Sequence, residues 1–233
     1  MIKTSLFPNP KTSFTTSDGL VAVGGEIDSV HLLEAYTHGI FPWFSEDQDI
    51  LWWCPDPRAV LIPEEFHASR SLIKTIRSEK YRVSINQEFN EVINGCAAPR
   101  KDNSSTWITS GMKMAYIRLN TLGYAHSVEV WQDGSVCGGL YGVSLGKIFF
   151  AESMFSRKSD ASKIALYALS RILTSNKFNL IDCQFLTPHL ESLGAKEISR
   201  NTFLDLLPRL VQANANRDLW SLKSLNASEL EFY

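Results

Sequence analysis

Apolar residues recur along this chain at two spacings, and the spacing changes at Gly123. Upstream, intervals of three and four dominate, the signature of half-buried helices. They predict a helix capped by Asp28 or Ser29 and stopped at Gly39, with Leu32, Leu33 and Tyr36 inward. Further helices are expected from Ser69 to Lys80, from Gln87 to about Cys96, and from Thr109 to Gly123, the last with Met112, Ala115, Tyr116 and Leu119 inward. One strand, Tyr81 to Ile85, lies among them.

From Ala125 the period is two. Ala125 to Trp131 alternates, Asp133-Gly134 is a hairpin signal, and Val136 to Val143 returns. Gly146 closes a second turn into Lys147–Phe155, so three strands form a meander. A helix over Ala161–Leu173, capped by Ser159 or Asp160, leads to a strand at Leu180–Gln184, which a helical crossover makes parallel to its neighbour. A short helix at His189–Leu193, a strand at Ala195–Ile198 and a helix capped by Asn201 follow; the tail beyond about residue 212 carries few constraints. The first 17 residues read as an irregular arm with Pro8 and Pro10. The fold class is α+β. A small N-terminal α/β domain is expected over residues 1–62, and a larger one over 63–233 whose mixed sheet is flanked by helices. Meander, helix and parallel strand is the core order of N-acyltransferase (GNAT-type) folds, a likeness of fold that proves no function.

Three polar residues break this pattern. Glu152 falls inside the third meander strand, and Asp182 and Gln184 fall inside the strand that follows the crossover. Buried carboxylates are costly unless paired or hydrogen-bonded, so two on neighbouring strands mark a candidate reaction centre. Cys183 between them reads as a small buried hydrophobe, with no histidine placed to activate it.

Composition narrows the chemistry. No apolar run approaches the ~20 residues of a membrane span, and no secretory leader is recognisable. The four cysteines are scattered without a CxxC pair, so reduced thiols in a cytoplasmic compartment and no structural metal are expected. A net charge of −2 rules out a global basic field, so any nucleic-acid surface must be local. One such surface exists: Arg70, Lys74 and Arg77 recur at helical spacing on one face, opposite Leu72, Ile73 and Ile76. Trp43, Trp52 and Trp53 sit between prolines, where rings on loops can stack on a base. The junction Phe155-Ser-Arg-Lys-Ser-Asp-Ala161 has no glycine, so the pyrophosphate loop of CoA-dependent acyltransferases is missing.

The runs GLVAVGGEID, LLEAYTHGIFPWF, LWWCPDPRAVL, AHSVEVW, GGLYGV, FFAESMFSRKSDASK and IDCQ, in this order, closely resemble the leucyl/phenylalanyl-tRNA–protein transferase family over roughly residues 7 to 207. The resemblance implies transfer of Leu or Phe, and less well Met, from aminoacyl-tRNA to proteins with N-terminal Arg or Lys. The product is marked for N-end rule degradation, and neither cofactor nor metal is implied. Its implied partners are Leu-tRNA and Phe-tRNA, through the aminoacylated 3′ adenosine and acceptor stem; no membrane is implied, and a monomer is expected. Carried over by motif, Trp43 and Trp107 flank the terminal adenosine, and Tyr116 joins the substrate-binding set. Leu140, Phe149, Met154 and Ile181 form the apolar pocket. Glu152, Asp182 and Gln184 line the reaction centre, and Arg70, Lys74 and Arg77 face the acceptor stem.

Overall fold

The computed structural model describes residues 5–13, 16–99, 106–221 and 224–232. Residues 100–105, between the helices expected to end near Cys96 and to start at Thr109, lie outside them. A small antiparallel sheet opens the chain: β1 (Leu20–Val23), helix α1 (Ser29–Thr37), β2 (Phe41–Pro42) and β3 (Leu51–Trp53), in the order β1-β3-β2. Asp28 caps α1, its carboxylate accepting from the backbone of Val30 and His31. The N-terminal arm is less loose than its composition suggests, because Phe7 is buried against Trp52 at 4.7 Å between ring centroids.

The larger sheet starts at β4 (Arg58–Leu61), followed by α2 (Arg70–Ile76), β5 (Arg82–Ile85), α3 (Phe89–Ala97) and α4 (Ser110–Thr121). The meander is β6 (Ala125–Gln132), β7 (Ser135–Leu145) and β8 (Ile148–Ser156). Then come α5 (Ala161–Ser175), β9 (Leu180–Gln184), α6 (Pro188–Ser192), β10 (Lys196–Ile198), α7 (Arg200–Gln212) and β11 (Leu225–Asn226). The eight strands lie in the order β10-β4-β9-β8-β7-β6-β5-β11. The expected α+β class holds: β6–β8 is an antiparallel meander and β9 runs parallel to β8. Asp133 (φ 51°) and Gly134 (φ 75°) make the β6–β7 turn, and two consecutive positive φ values are what a two-residue hairpin with right-handed twist requires.

Helices cover both faces. Alternation sends Phe149 into the core with α2 and α5, and Phe150 into the core with α1, α4 and α7. The strand β4, from the PDPRAVL run, was not anticipated; it precedes the expected boundary at 62/63 yet pairs with β9 and β10 in the large sheet. Two other expectations need correction. The last helix is capped by Ser199, whose hydroxyl accepts from Thr202 N, and Asn201 lies inside it. The tail is not loose: Leu219, Trp220, Ala227 and Leu230 are buried, and β11 covers the edge of β5. Apolar residues spaced too irregularly to show a period still pack, here with Trp220 stacked on His126 at 4.0 Å.

Candidate active site

A one-residue bulge builds the centre of the site. Opposite β7, Tyr141 faces Ser153 but Gly142 faces Ala151, so Glu152 is the extra residue of β8. The insertion reverses the phase of the strand. Ala151 and Met154 both pack toward the α5 core, while Glu152 turns to the tyrosines on the other side.

Tyr116 Oη donates to Glu152 Oε2 at 2.7 Å, and the hydroxyls of Tyr36 and Tyr116 are 2.6 Å apart in full burial. Gln184 Nε2 donates to Glu152 Oε1 at 3.4 Å. Burial raises the Glu152 carboxyl from 4.5 to about 7. The hydrogen bonds from Tyr116 and Tyr36 pull it down, the Asp182 charge pushes it up, and Arg58 pulls it down. A carboxyl held there is close to half-ionised at neutral pH.

Asp182 sits in a different environment. Both of its oxygens are taken by Arg58, from Nε at 2.7 Å and Nη2 at 2.6 Å, with both side chains essentially solvent-free. Arg58 also lies over the rings of Phe41 at 4.9 Å and Phe203 at 4.6 Å. Burial pushes the guanidinium down, and Asp182 more than offsets that, so its pKa stands above the ordinary arginine value. Asp182 Oδ1 further accepts the Gln184 backbone N–H at 3.1 Å. Gln184 has φ 59°, a left-handed conformation that costs a non-glycine residue energy unless its surroundings impose it. Asp182 thus holds the backbone of Gln184, and Arg58 holds Asp182.

Beside this polar chain is a partly enclosed, mostly apolar cavity of about 100 Å³, lined by Leu140, Met154, Leu166, Cys183 and Leu190 together with Glu152 and Gln184. An apolar cavity of about 150 Å³ takes a benzene ring, so a branched alkyl or aromatic side chain suits this one where it opens outward. It opens into a groove of about 840 Å³ that shares Glu152, Met154, Cys183 and Leu190 with it and reaches Trp107. A third hollow, about 400 Å³, has walls of Trp43, Phe44, Trp53 and Trp107. Trp43 is 44% exposed, so part of its ring faces the hollow open to a ligand.

The structure gathers most of the residues expected from sequence. Glu152, Asp182, Gln184 and Tyr116 form one hydrogen-bonded chain, Leu140 and Met154 share the cavity wall, and Trp43 shares a hollow with Trp107. Phe149 and Ile181 stand apart. Both are fully buried in the core that holds Leu140, beneath the cavity and not on its wall. Arg70, Lys74 and Arg77 share a separate concavity of about 590 Å³ on the outer face of α2, whose Leu72 and Ile76 anchor it. Sequence reasoning missed Arg58, Tyr36, Leu166 and Leu190. Arg58 carried the same signal as Glu152, a charge opening an apolar Ala59-Val60-Leu61 run. Leu166 and Leu190 are ordinary helical leucines and carried none. Among the described residues, the one cluster of metal-ligand type, Glu26, Asp28 and His31, lies at the start of α1, where Asp28 is engaged as its cap.

A meander, crossover helix and parallel strand around a polar centre that borders a partly enclosed apolar cavity give the scaffold the N-acyltransferase (GNAT-type) core order. Residues 60–208 match the model of the leucyl/phenylalanyl-tRNA protein transferase family, and residues 25–56 match that of its N-terminal domain. The chain is 52% identical over 221 residues to the leucyl/phenylalanyl-tRNA–protein transferase of Desulfatibacillum aliphaticivorans, covering 94% of each. It is 53% identical over 203 residues to that of Pseudomonas fluorescens strain Pf0-1, covering 87% of this chain and 90% of the relative. This chain belongs to the leucyl/phenylalanyl-tRNA protein transferase family, and is an enzyme of the aminoacyltransferase class. The solved structure of L-PGS from Bacillus licheniformis overlays at a TM-score of 0.42 and 10% identity, covering 80% of this chain and 71% of that one, too distant to bear on function.

Proposed function

We propose that the enzyme moves Leu or Phe, and less well Met, from the 3′ adenosine of aminoacyl-tRNA to the α-amine of proteins beginning with Arg or Lys. The product enters N-end rule degradation. The observation that carries this reading is the partly enclosed apolar cavity beside a carboxyl that burial raises to about 7. The side chain of the transferred residue enters among Leu140, Met154, Leu166 and Leu190, which presents its ester carbonyl to Glu152 and Gln184. Trp43 and Trp107 take the adenine by stacking, and the Arg70, Lys74 and Arg77 face takes acceptor-stem phosphates. The four cysteines, free and buried, accord with a reduced cytoplasmic setting, and no helix among the described residues is long and apolar enough to cross a membrane. A monomer is taken as its working form.

The acyl group arrives activated as an ester. The incoming ammonium gives a proton to Glu152, the freed amine attacks the carbonyl, a C–N bond forms, and the C–O bond to the ribose breaks. The attacking nitrogen then gives up a second proton, the departing ribose oxygen takes it, and the proton on Glu152 passes to solvent. Glu152 suits the first transfer because its pKa lies near the working pH. Gln184 donates to Glu152 and orients it; an amide cannot accept the proton itself. Asp182 is a positioning residue, since both of its oxygens are engaged by Arg58. The deciding experiment offers labelled Phe-tRNA with an Arg-initiated peptide. Label in the peptide is the expected result, and an unlabelled peptide with intact donor refutes the reading.

A further inference from the structure

The eight-stranded sheet has an opening inside it. β8 and β9 pair from Ile148↔Leu180 to Phe150↔Asp182 and then part. β9 ends at Gln184, whose register partner is Ala59 of β4, while β8 continues to Ser156 paired with β7 alone. Ala151 to Phe155 are half-buried. Among the described residues, their backbone N–H and C=O groups make no hydrogen bond outside the β7 ladder. Alternate residues of a strand direct these groups to each side, so β8 offers an unpartnered row of donors and acceptors. Unpaired strand edges are templates for another strand, and this one borders the reaction centre.

We propose that this slot seats the first residues of the acceptor polypeptide as an added strand, parallel to β8 from Glu152 toward Ser156. The inference rests on the proposed acceptor, a protein α-amine. That amine must meet the ester beside Glu152, where the apolar cavity holds the donor's side chain, and the 840 Å³ groove runs on from Glu152 along β8 to Ser156, so the polypeptide is seated along the groove. The groove runs between Ser153, Phe155 and Ser156 of β8 and Cys183, Phe185 and Thr187 opposite. Its bare backbone fits an extended chain. A nucleotide has its own hollow among Trp43, Trp53 and Trp107, where rings replace open backbone. Four steps of strand from Glu152 to Ser156 span roughly 13 Å, room for about four residues. Recognition through main chain explains how one site accepts many proteins: the first residue is read at the centre, and those after it are held by groups that every peptide shares.

The test is a series of acceptor peptides Arg-Ala-Ala-Ala-Ala-Tyr in which the amide of the third, fourth or fifth residue is replaced singly by an ester. Each ester deletes one N–H and keeps the chain's shape. Losing a strand hydrogen bond should lower kcat/KM for the peptide about 3- to 10-fold, at alternate positions only, with KM for Phe-tRNA unchanged. Replacing the same residues' side chains by Ser or Leu should change it less than about 2-fold, because main-chain bonds carry the affinity. A flat ester series, or one in which side chains outweigh esters, overturns the added strand while leaving the acceptor reading intact. If the all-amide peptide is not acylated at all, the acceptor reading falls and this inference falls with it.

Discussion

The pair Arg58–Asp182 makes the strongest demand on the fold, and Asp182→Asn tests it. The substitution keeps shape but places an NH₂ group and a neutral oxygen against a guanidinium that has no other charged partner within its hydrogen bonds. Removing one member of a buried pair strands the other, at a cost of roughly 3–5 kcal/mol. Arg58 cannot escape by deprotonating, and burial alone pushes against its charge. Domains of this kind are stable by about 5–15 kcal/mol, so the variant should fold but lose a large share of its margin. With a urea m-value of about 2–3 kcal/mol/M, the midpoint should drop by roughly 1–2 M. The double variant Arg58→Met with Asp182→Leu removes both charges and should recover most of that loss, because an apolar pair of similar volume is often neutral or better. Transfer activity should remain low in the double variant, since Gln184 loses the carboxylate that holds its left-handed backbone. If Asp182→Asn unfolds within about 1 kcal/mol of the parent, the pair is not desolvated in solution and the positioning role of Asp182 is wrong.

Three further outcomes follow from the same geometry. In Glu152→Gln, kcat/KM should fall about 10²- to 10⁴-fold, and the rising limb of the pH profile near 7 should disappear; retention of that limb would assign it to another group. The same variant changes stability with a definite sign. A carboxyl raised from 4.5 to about 7 binds more protons folded than unfolded between those values, so parent stability falls as pH rises through that window, by up to roughly 3 kcal/mol, and Glu152→Gln should remove the fall; urea titrations at pH 4.5 and 8 read it. Arg70→Ala with Lys74→Ala should weaken tRNA binding and reduce the slope of log K against log salt by about 0.9 per lost phosphate contact, and an unchanged slope would move the stem elsewhere.

Much of this site was legible before any coordinates, for one physical reason: charge inside an apolar strand is expensive, so Glu152 and Asp182 stand out wherever their partners lie. The meander and its parallel neighbour were legible too, because alternation and a DG turn are local signals. The cavity wall was legible only in part. Assigning it along β8 by simple alternation ignores the bulge at Glu152, and a one-residue insertion flips every side chain after it. The bulge brings Met154 onto the same face as Phe149 and Ala151; Ala151 and Met154 reach the wall, and Phe149 is buried in the core without lining it. The remaining wall comes from Leu166 and Leu190, which two separate helices deliver across the sheet. Arg58 was legible in principle, yet its partner lies 124 residues away. Trp220 and the tail show the opposite limit, because isolated apolar residues find a core without any period to announce them.

The two carboxylates are set to opposite tasks by what surrounds them. Asp182 has the Arg58 guanidinium on both oxygens and is a fixed support. Glu152, on the adjacent strand, has tyrosine hydroxyls and an amide in place of a cation, and burial leaves it undecided at neutral pH. Environments that push paired carboxyls apart are how one site separates a structural charge from a proton carrier. The separation depends on Arg58 choosing Asp182. Were the guanidinium shared with Glu152, the carboxyl would fall back toward its ordinary range and lose its basicity toward an ammonium. The rings of Phe41 and Phe203 lie under the Arg58 guanidinium at 4.9 and 4.6 Å. Phe41 comes from β2, so the N-terminal sheet touches the cation that holds Asp182.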